Sequence, residues 1–411
     1  MQIYLVGGAV RDRLLGMEVT ESDWLVTGAC PADLIGKGFI PVGKFFPVFL
    51  HPETKEEYAL ARTETKIAAG HHGFACTFNA DISLEQDLQR RDLTINAMAQ
   101  DGDGRVIDPY GGMTDLHNRV IRHVSAAFVE DPLRVFRVAR FAARFADLGF
   151  TIAAETTALM RNIVASGELA TLSAERVWQE TVRALSTTAP HIYFATLYEI
   201  GALDHWFPEL QALWGIPQRK QYHPEIDTGV HVMLALQQVA RITTNTMVRF
   251  AVLVHDLGKG VTPEAMLPSH RGHEKAGIPL VQRLSQRLKV PGQWQRFAEQ
   301  TCRYHLLFHQ AFSLRPQTLI DLFTRLNAVR QPENLEHFLL ACMADARGRT
   351  GFEQAQCPQT AYLQGALQAV RNIDVPSLLS AGLAGKQLVS AIHQQRIAAL
   401  VAYRQSCVTC P

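Results

Sequence analysis

The sequence predicts an α+β head followed by an all-α remainder. Short β-like runs alternate with Gly/Pro/Asp-rich turns through residues 1–125, whereas from about residue 130 apolar residues recur at helical spacing to the end. At 411 residues, one to three domains are expected, and 47% hydrophobic against 19% charged residues suffices for a buried core. No run approaches ~18 consecutive apolar residues, and Met1-Gln-Ile-Tyr-Leu-Val-Gly7 has neither a basic n-region nor a cleavage site. A cytoplasmic chain without a membrane partner is therefore expected.

The β-like runs include Ile3–Val6, Trp24–Val26, Phe46–Leu50, Tyr58–Ala61 and Val106–Ile107, and the turns include Asp101-Gly-Asp-Gly104 and Asp108-Pro-Tyr-Gly-Gly112. Within the helical remainder, Trp214-Gly-Ile-Pro217 and His223-Pro224 mark a break near 215–225. Seven cysteines, Cys30, Cys76, Cys302, Cys342, Cys357, Cys407 and Cys410, are odd in number and scattered, which argues against a disulfide framework. Cys407-Val-Thr-Cys410 has metal-ligand spacing but no second pair, so no function is assigned to it. A net charge of +1 does not itself announce a nucleic-acid partner; any RNA surface requires segregated basic residues.

Chemistry begins at the first strand. Ile3–Val6 runs into Gly7-Gly8 and then a short helix closed by Gly16. Gly-Gly at a strand-to-helix turn leaves backbone N–H groups free to approach a phosphate. Glu21 and Asp23, opening the next apolar run, are two apart and share a face of an extended strand, where they can jointly hold a divalent metal. Taken singly, the glycines read as a turn and the acids as a solvated edge. Further on, Asp131-Pro132 opens a helix carrying Arg134, Arg137, Arg140 and Arg144 within an arc of about 120°. That stripe is compatible with a solvated basic face.

These pieces, in this order, resemble the bacterial CCA-adding enzymes of the second class, whose head is polymerase-beta-like. The stretches that carry the resemblance are Leu5-Val-Gly-Gly-Ala-Val-Arg-Asp12, Arg90-Arg-Asp-Leu-Thr-Ile-Asn-Ala97, Asp108-Pro-Tyr-Gly-Gly112 and Glu130-Asp-Pro-Leu-Arg134. The resemblance implies catalytic Glu21 and Asp23 holding Mg²⁺, although the family's first carboxylate is Asp rather than the Glu21 found here. Glutamate keeps the charge on a longer stem, and Mg²⁺ demands near-ideal octahedral geometry. Many such sites add a third carboxylate on a neighbouring strand; Glu57 is the candidate, with a solvated strand face as the other reading. The resemblance also implies that Gly8, Arg11, Arg91, Arg137 and Arg140 contact the nucleotide, while Asp131 and Arg134 read its base edge without a template.

Downstream, seven of the 16 histidines fall between His223 and His309. The series His231, His255-Asp256, His273, His305 and Asp345 resembles the HD superfamily of metal-dependent phosphohydrolases. The resemblance implies His231, His255, Asp256 and Asp345 as ligands, with His273 and His305 as further candidates. Imidazole plus carboxylate suits a transition metal, Ni²⁺ among them, that acidifies a bound water. His305 and His309, four apart, also read as a partly buried pair without metal, and His223 and His270 read as turn residues.

The implied organisation is a nucleotidyltransferase head (1–140), a helical tRNA-binding neck and body (141–222), an HD domain (223–350) and a helical tail (351–411). The implied function is template-independent addition of C, C and A to the tRNA 3′ end from CTP and ATP. The HD domain adds 2′,3′-cyclic phosphodiesterase, 2′-nucleotidase and phosphatase activities. A poly(A) polymerase with the same head, or an HD hydrolase whose head merely grips RNA, are the competing readings. Monomer and homodimer remain open.

Overall fold

Residues 1–42, 48–66 and 74–408 are described in the computed structural model. The chain forms two compact units: Met1–Ala184 with Ile192–His205, and Leu185–His191 with Trp206–Pro411. No helix among the described residues is long and apolar enough to cross a membrane.

The first unit is built on a seven-stranded sheet in the order Ile40–Pro41, Val48–Leu50, Glu57–Leu60, Asp23–Thr27, Gln2–Val6, Ala99–Gln100, Val106–Ile107. Asp23–Thr27 pairs antiparallel with Gln2–Val6 and parallel with Glu57–Leu60. Successive side chains on a strand point to opposite faces. Leu25 accordingly packs with Tyr4, Val6 and Leu88 on one side, while its neighbour Val26 packs with Leu34, Phe49 and Leu60 on the other. The central strands are covered twice.

Sequence patterning locates five of these strands to within a residue or two and misses the two-residue strands Ile40–Pro41 and Ala99–Gln100. Tyr58–Ala61 shifts to Glu57–Leu60, with Ala61 N–H still donating to Val26. The strand expected at Phe46–Leu50 is seen at Val48–Leu50, and Phe46 lies outside the described residues. The helical remainder carries one exception: Thr151–Ile152 forms a short parallel pairing with Val120–Ile121. Gly149, at φ 76°, turns the chain out of the preceding helical segment and makes that pairing possible.

All the regular elements described in the second unit are helices, with one isolated antiparallel bridge between Pro217 and Asp227. Asp227 caps the helix Thr228–Ile242 by accepting from Val230 N–H, and Asn245 caps Thr246–Val254 by accepting from Met247 and Val248. Helices Gly292–His309 and Glu333–Arg347 pack against these two, and His273–Leu288 packs on Gly292–His309 and the segment Leu257–Val261. One glycine makes the packing possible. A Cβ at Gly258 would lie 2.0 Å from the backbone oxygen of His273, so glycine lets the next helix approach the His255-Asp256 turn.

Candidate active sites

In the first unit, the strand Gln2–Val6 ends at Gly7, which has φ 72° and precedes the helix Gly8–Leu14. A Cβ at Gly7 would sit 2.8 Å from Arg91 Nη1, so backbone conformation and space both call for glycine. Across the ladder, Val6 pairs with Asp23, and Asp23 pairs with Glu57 on the parallel neighbour. Paired residues share a face, as the stacked rings of the next pair, Trp24 and Tyr58, illustrate. Glu57 is thereby placed beside Asp23.

Partial desolvation raises the pKa of Asp23, Arg91 opposes the rise and Glu21 adds to it. Asp23 thus feels the charge of Glu21 on one hand and of the Arg91 guanidinium on the other. A carboxylate shifted upward beside the charge of Glu21, with Glu57 opposite on the next strand, is an arrangement that a divalent cation relieves.

The arginine stripe on Leu133–Arg144 is not a solvated basic face. Arg137 Nη2 lies 2.7 Å from Asp92, Arg140 Nε lies 2.5 Å from Glu180, and Arg144 Nη2 lies 2.9 Å from Asp12. Burial works against the charge of Asp92, but Arg137, Asn96 and Arg134 outweigh it and hold its pKa well below the usual carboxylate range. Arg11 is buried, with Nε donating to Asp12 and Nη1 to Asn96, over the rings of Phe141 and Phe145. Asp131 accepts from Leu133 N–H at 3.1 Å through Oδ1 and from Arg176 at 2.8 Å through Oδ2. Arg134 donates to the carbonyls of Ala127 and Arg90. Gly8 lies against Arg11, whose Nη2 would be 3.4 Å from an added Cβ. Arg11, Arg137 and Arg140 therefore belong to one network with Asp12, Asp92, Asn96, Glu180 and Arg144, whereas Asp131 pairs with Arg176, Arg91 with Asp87, and Arg134 with backbone carbonyls.

In the second unit, the helix Thr246–Val254 ends just before the His-Asp doublet. His255 keeps helical angles, and Asp256 departs from them at φ −105°, ψ 10°, so both side chains are presented to one centre. His231 Nε2 lies 3.1 Å from Asp345 Oδ1 and 3.7 Å from Asp256 Oδ2. His255 Nε2 lies 3.3 Å from Asp256 Oδ2, and His273 Nε2 lies 3.2 Å from Asp256 Oδ1. His305 Nε2 is 3.3 Å from His273 Nε2. Every ligand candidate from the sequence converges here.

The rings are also turned for ligation. Nδ1 of His255, His273 and His305 lies 2.7, 2.7 and 3.0 Å from the carbonyls of Val252, His270 and Cys302. His231 Nδ1 lies 3.1 Å from the Gly348 carbonyl. A carbonyl only accepts, so each Nδ1 carries the proton and each Nε2 offers a lone pair to the centre. His255 Nε2 and both Asp256 oxygens are buried without a hydrogen bond of good geometry among the described residues. Without an ion, burial would oppose charge on His255, but Asp256 and Asp345 would overcome it and lift the pKa to about 10, a positive charge at Nε2 that a cation at the centre would replace. A buried set of carboxylates with inward imidazole lone pairs fits a transition-metal ion.

Three neighbours were not legible as site residues. Glu225 Oε1 lies 3.0 Å from Nδ1 of both His231 and His223, an orienting carboxylate behind a candidate ligand. Lys259 Nζ lies 2.6 Å from Asp256 Oδ2. His309, expected as half of a pair with His305, instead directs Nε2 to Asp345 Oδ2 at 3.1 Å. His223 and His270 do lie in turns, as expected. Replacing Glu225 with glutamine removes the charge that polarises His231. Metal affinity of the second unit should fall about tenfold or more, measured by competition with a chromophoric chelator.

With this geometry in place, known proteins of the same kind can be compared. The chain is 54% identical over 405 residues to the multifunctional CCA protein of Hahella chejuensis, covering 98% of this chain and 96% of the relative. It is 55% identical to that of Pasteurella multocida, covering 97% and 96%. The chain belongs to the multifunctional CCA proteins. Residues 3–122 match the poly A polymerase head domain, 149–213 the probable RNA and SrmB-binding site of polymerase A, and 229–337 the HD domain. A multifunctional CCA protein thus joins a nucleotidyltransferase head to an HD domain, and both domain types imply dependence on divalent metal.

Among solved structures, the fold is similar to the Bacillus stearothermophilus CCA-adding enzyme in complex with CTP, at TM-score 0.65 and 24% identity, covering 97% of this chain and 89% of that one. It is also similar to the Thermotoga maritima CCA-adding enzyme complexed with tRNA, at TM-score 0.63 and 18% identity, covering 99% and 91%. At these identities the likeness speaks for the fold alone.

Proposed function

We propose that this multifunctional CCA protein adds C, C and A in order to the 3′ end of tRNA, and that its HD domain hydrolyses phosphate esters at damaged RNA ends. The observation that carries the first half is the meeting of Glu21, Asp23 and Arg91 at the Gly7 turn. The RNA 3′-hydroxyl oxygen attacks the α-phosphorus of CTP or ATP, the bond to the β-phosphate breaks, and pyrophosphate leaves with the proton released to solvent. Glu21 and Asp23, with Glu57 beside them, would hold Mg²⁺, which supplies positive charge to the hydroxyl and to the departing pyrophosphate.

The chain's own residues do the rest. Arg91 and Arg137, both partly exposed, contact phosphate oxygens. Gly8 lets the backbone approach the triphosphate, and Arg11 and Arg140, fixed by Asp12 and Glu180, set the floor of the nucleotide site. Asp131 accepts from the exocyclic amine that cytosine and adenine share, and Arg134 donates to the base's ring nitrogen and carbonyl positions. Guanine and uracil mismatch that pair, so selection needs no template.

In the HD domain, His231, His255, Asp256 and Asp345, with His273 and His305 adjoining, would hold a transition metal, Ni²⁺ as first choice, which acidifies water for attack on phosphorus. The substrates are 2′,3′-cyclic phosphates, 2′-phosphates and phosphomonoesters. Cleaning an end before extending it gives the two chemistries a common purpose. Purified protein supplied with tRNA lacking its terminal trinucleotide, and with CTP and ATP given separately and together, should yield ordered C-C-A products. A-tails from ATP alone would instead identify a poly(A) polymerase.

A further inference from the structure

Beside the metal-ligand cluster of the second unit lies a cavity of about 460 Å³. That volume falls within the range of sites that enclose small molecules, ~300–1,000 Å³. Its lining holds Arg219, Lys259, Arg271, Arg349 and four histidines, and no Asp or Glu among the described residues. A recess with that imbalance selects anions. His273, His309 and Lys259 belong to both the lining and the cluster's surroundings, so an anion bound here has its phosphorus next to the metal ligands.

Two donors in the lining lack partners. Gln218 is 3% exposed, and its Oε1 accepts from Lys259 Nζ at 2.6 Å. An ammonium only donates, so the amide orientation is fixed and Nε2 faces away from Lys259. Nε2 has no hydrogen-bond partner among the described residues, and neither has the buried Nε of Arg349. Arg349 Nη2 stands 3.4 Å from His309 Nε2, which in turn meets Asp345. A further lining residue, Tyr222, is 52% exposed, an open aromatic ring beside a cationic recess.

We propose that this cavity receives the terminal ribonucleotide of an RNA 3′ end, with Arg349 and Gln218 donating to the phosphoester oxygens and the Tyr222 ring stacking on the base. Guanidinium and carboxamide donors match phosphoryl oxygens, and an exposed aromatic ring accepts any base face. The inference rests on the phosphohydrolase reading of the HD domain. It adds the residues that bind that substrate: Arg349 and Gln218 on the phosphoester and Tyr222 on the base.

The full-length protein loaded with Ni²⁺ is assayed for KM and kcat on 2′,3′-cyclic AMP and on p-nitrophenyl phosphate, as wild type, Arg349→Gln, Tyr222→Ala and Tyr222→Phe, with nickel content measured on each sample. Arg349→Gln should raise KM about tenfold for both substrates at unchanged nickel content. Tyr222→Ala should raise KM about tenfold for the cyclic nucleotide alone, and Tyr222→Phe should restore it. The proposal is overturned if Arg349→Gln leaves both KM values unchanged or loses nickel. It is equally overturned if Tyr222→Ala moves neither KM value or both alike. Hydrolysis of neither substrate by the wild type would overturn the phosphohydrolase reading itself, and this inference with it.

Discussion

Asp23→Ala should lower nucleotide incorporation into tRNA by about three orders of magnitude or more, while hydrolysis of 2′,3′-cyclic AMP stays within about twofold of wild type. Asp23 opens the strand Asp23–Thr27, next to Val6 on one side and Glu57 on the other. Its removal takes away the carboxylate between Glu21 and Glu57, and the two that remain are too few to offset a metal's charge. Several kcal/mol of transition-state stabilisation are lost with the ion. The head should remain folded, because Asp23 is exposed at the strand's start, whereas the buried Leu25 and Val26 hold the two cores. Glu21→Asp separates geometry from charge: it shortens the stem and keeps the anion. Primer extension with labelled CTP reads both variants, and incorporation by Asp23→Ala near the wild-type rate would remove Asp23 from the mechanism.

Asp256→Asn should produce the opposite pattern, with hydrolysis falling about a thousandfold and C-C-A addition unaffected. Asn is the better replacement because Lys259 Nζ lies 2.6 Å from Asp256 Oδ2 in a buried site. Asparagine keeps an oxygen acceptor for that ammonium, whereas alanine would leave it only Gln218 Oε1 among the described residues, and a folding defect would obscure the result. Chelation should reproduce the variant: stripping the metal abolishes hydrolysis, and Ni²⁺ but not Mg²⁺ restores it. Atomic-absorption measurement of bound nickel, taken alongside phosphate release, checks the assignment. Full hydrolysis by a nickel-free protein would contradict it.

The framework was legible where chemistry is local. Gly7-Gly8 sits in a strand-to-helix turn because the apolar run before it and the short helix after it are both coded by neighbours. The His255-Asp256 doublet was equally legible, since a helix ending at Val254 can be read from its own periodicity. What stayed hidden was pairing across distance. Spacing shows that Arg137, Arg140 and Arg144 share a face, but their partners Asp92, Glu180 and Asp12 come from three separate elements. A stripe that reads as solvated is therefore neutralised inside the fold. Glu225 was missed for a related reason. It lies in an irregular turn with no motif around it, and only folding brings it against Nδ1 of His231. Arg349 carries no pattern either, because its placement depends on the helix Glu333–Arg347 ending beside His309.

The carbonyl anchors behind His231, His255, His273 and His305 have a consequence for how the metal arrives. In small metallodomains the ion organises a disordered chain, so affinity and stability are one quantity. Here the backbone aims each ring independently of any ion, and the surrounding helices carry their own apolar cores. Loading should thus resemble a key entering a finished lock: chelated protein keeps its far-ultraviolet dichroism, and occupancy returns without a refolding phase.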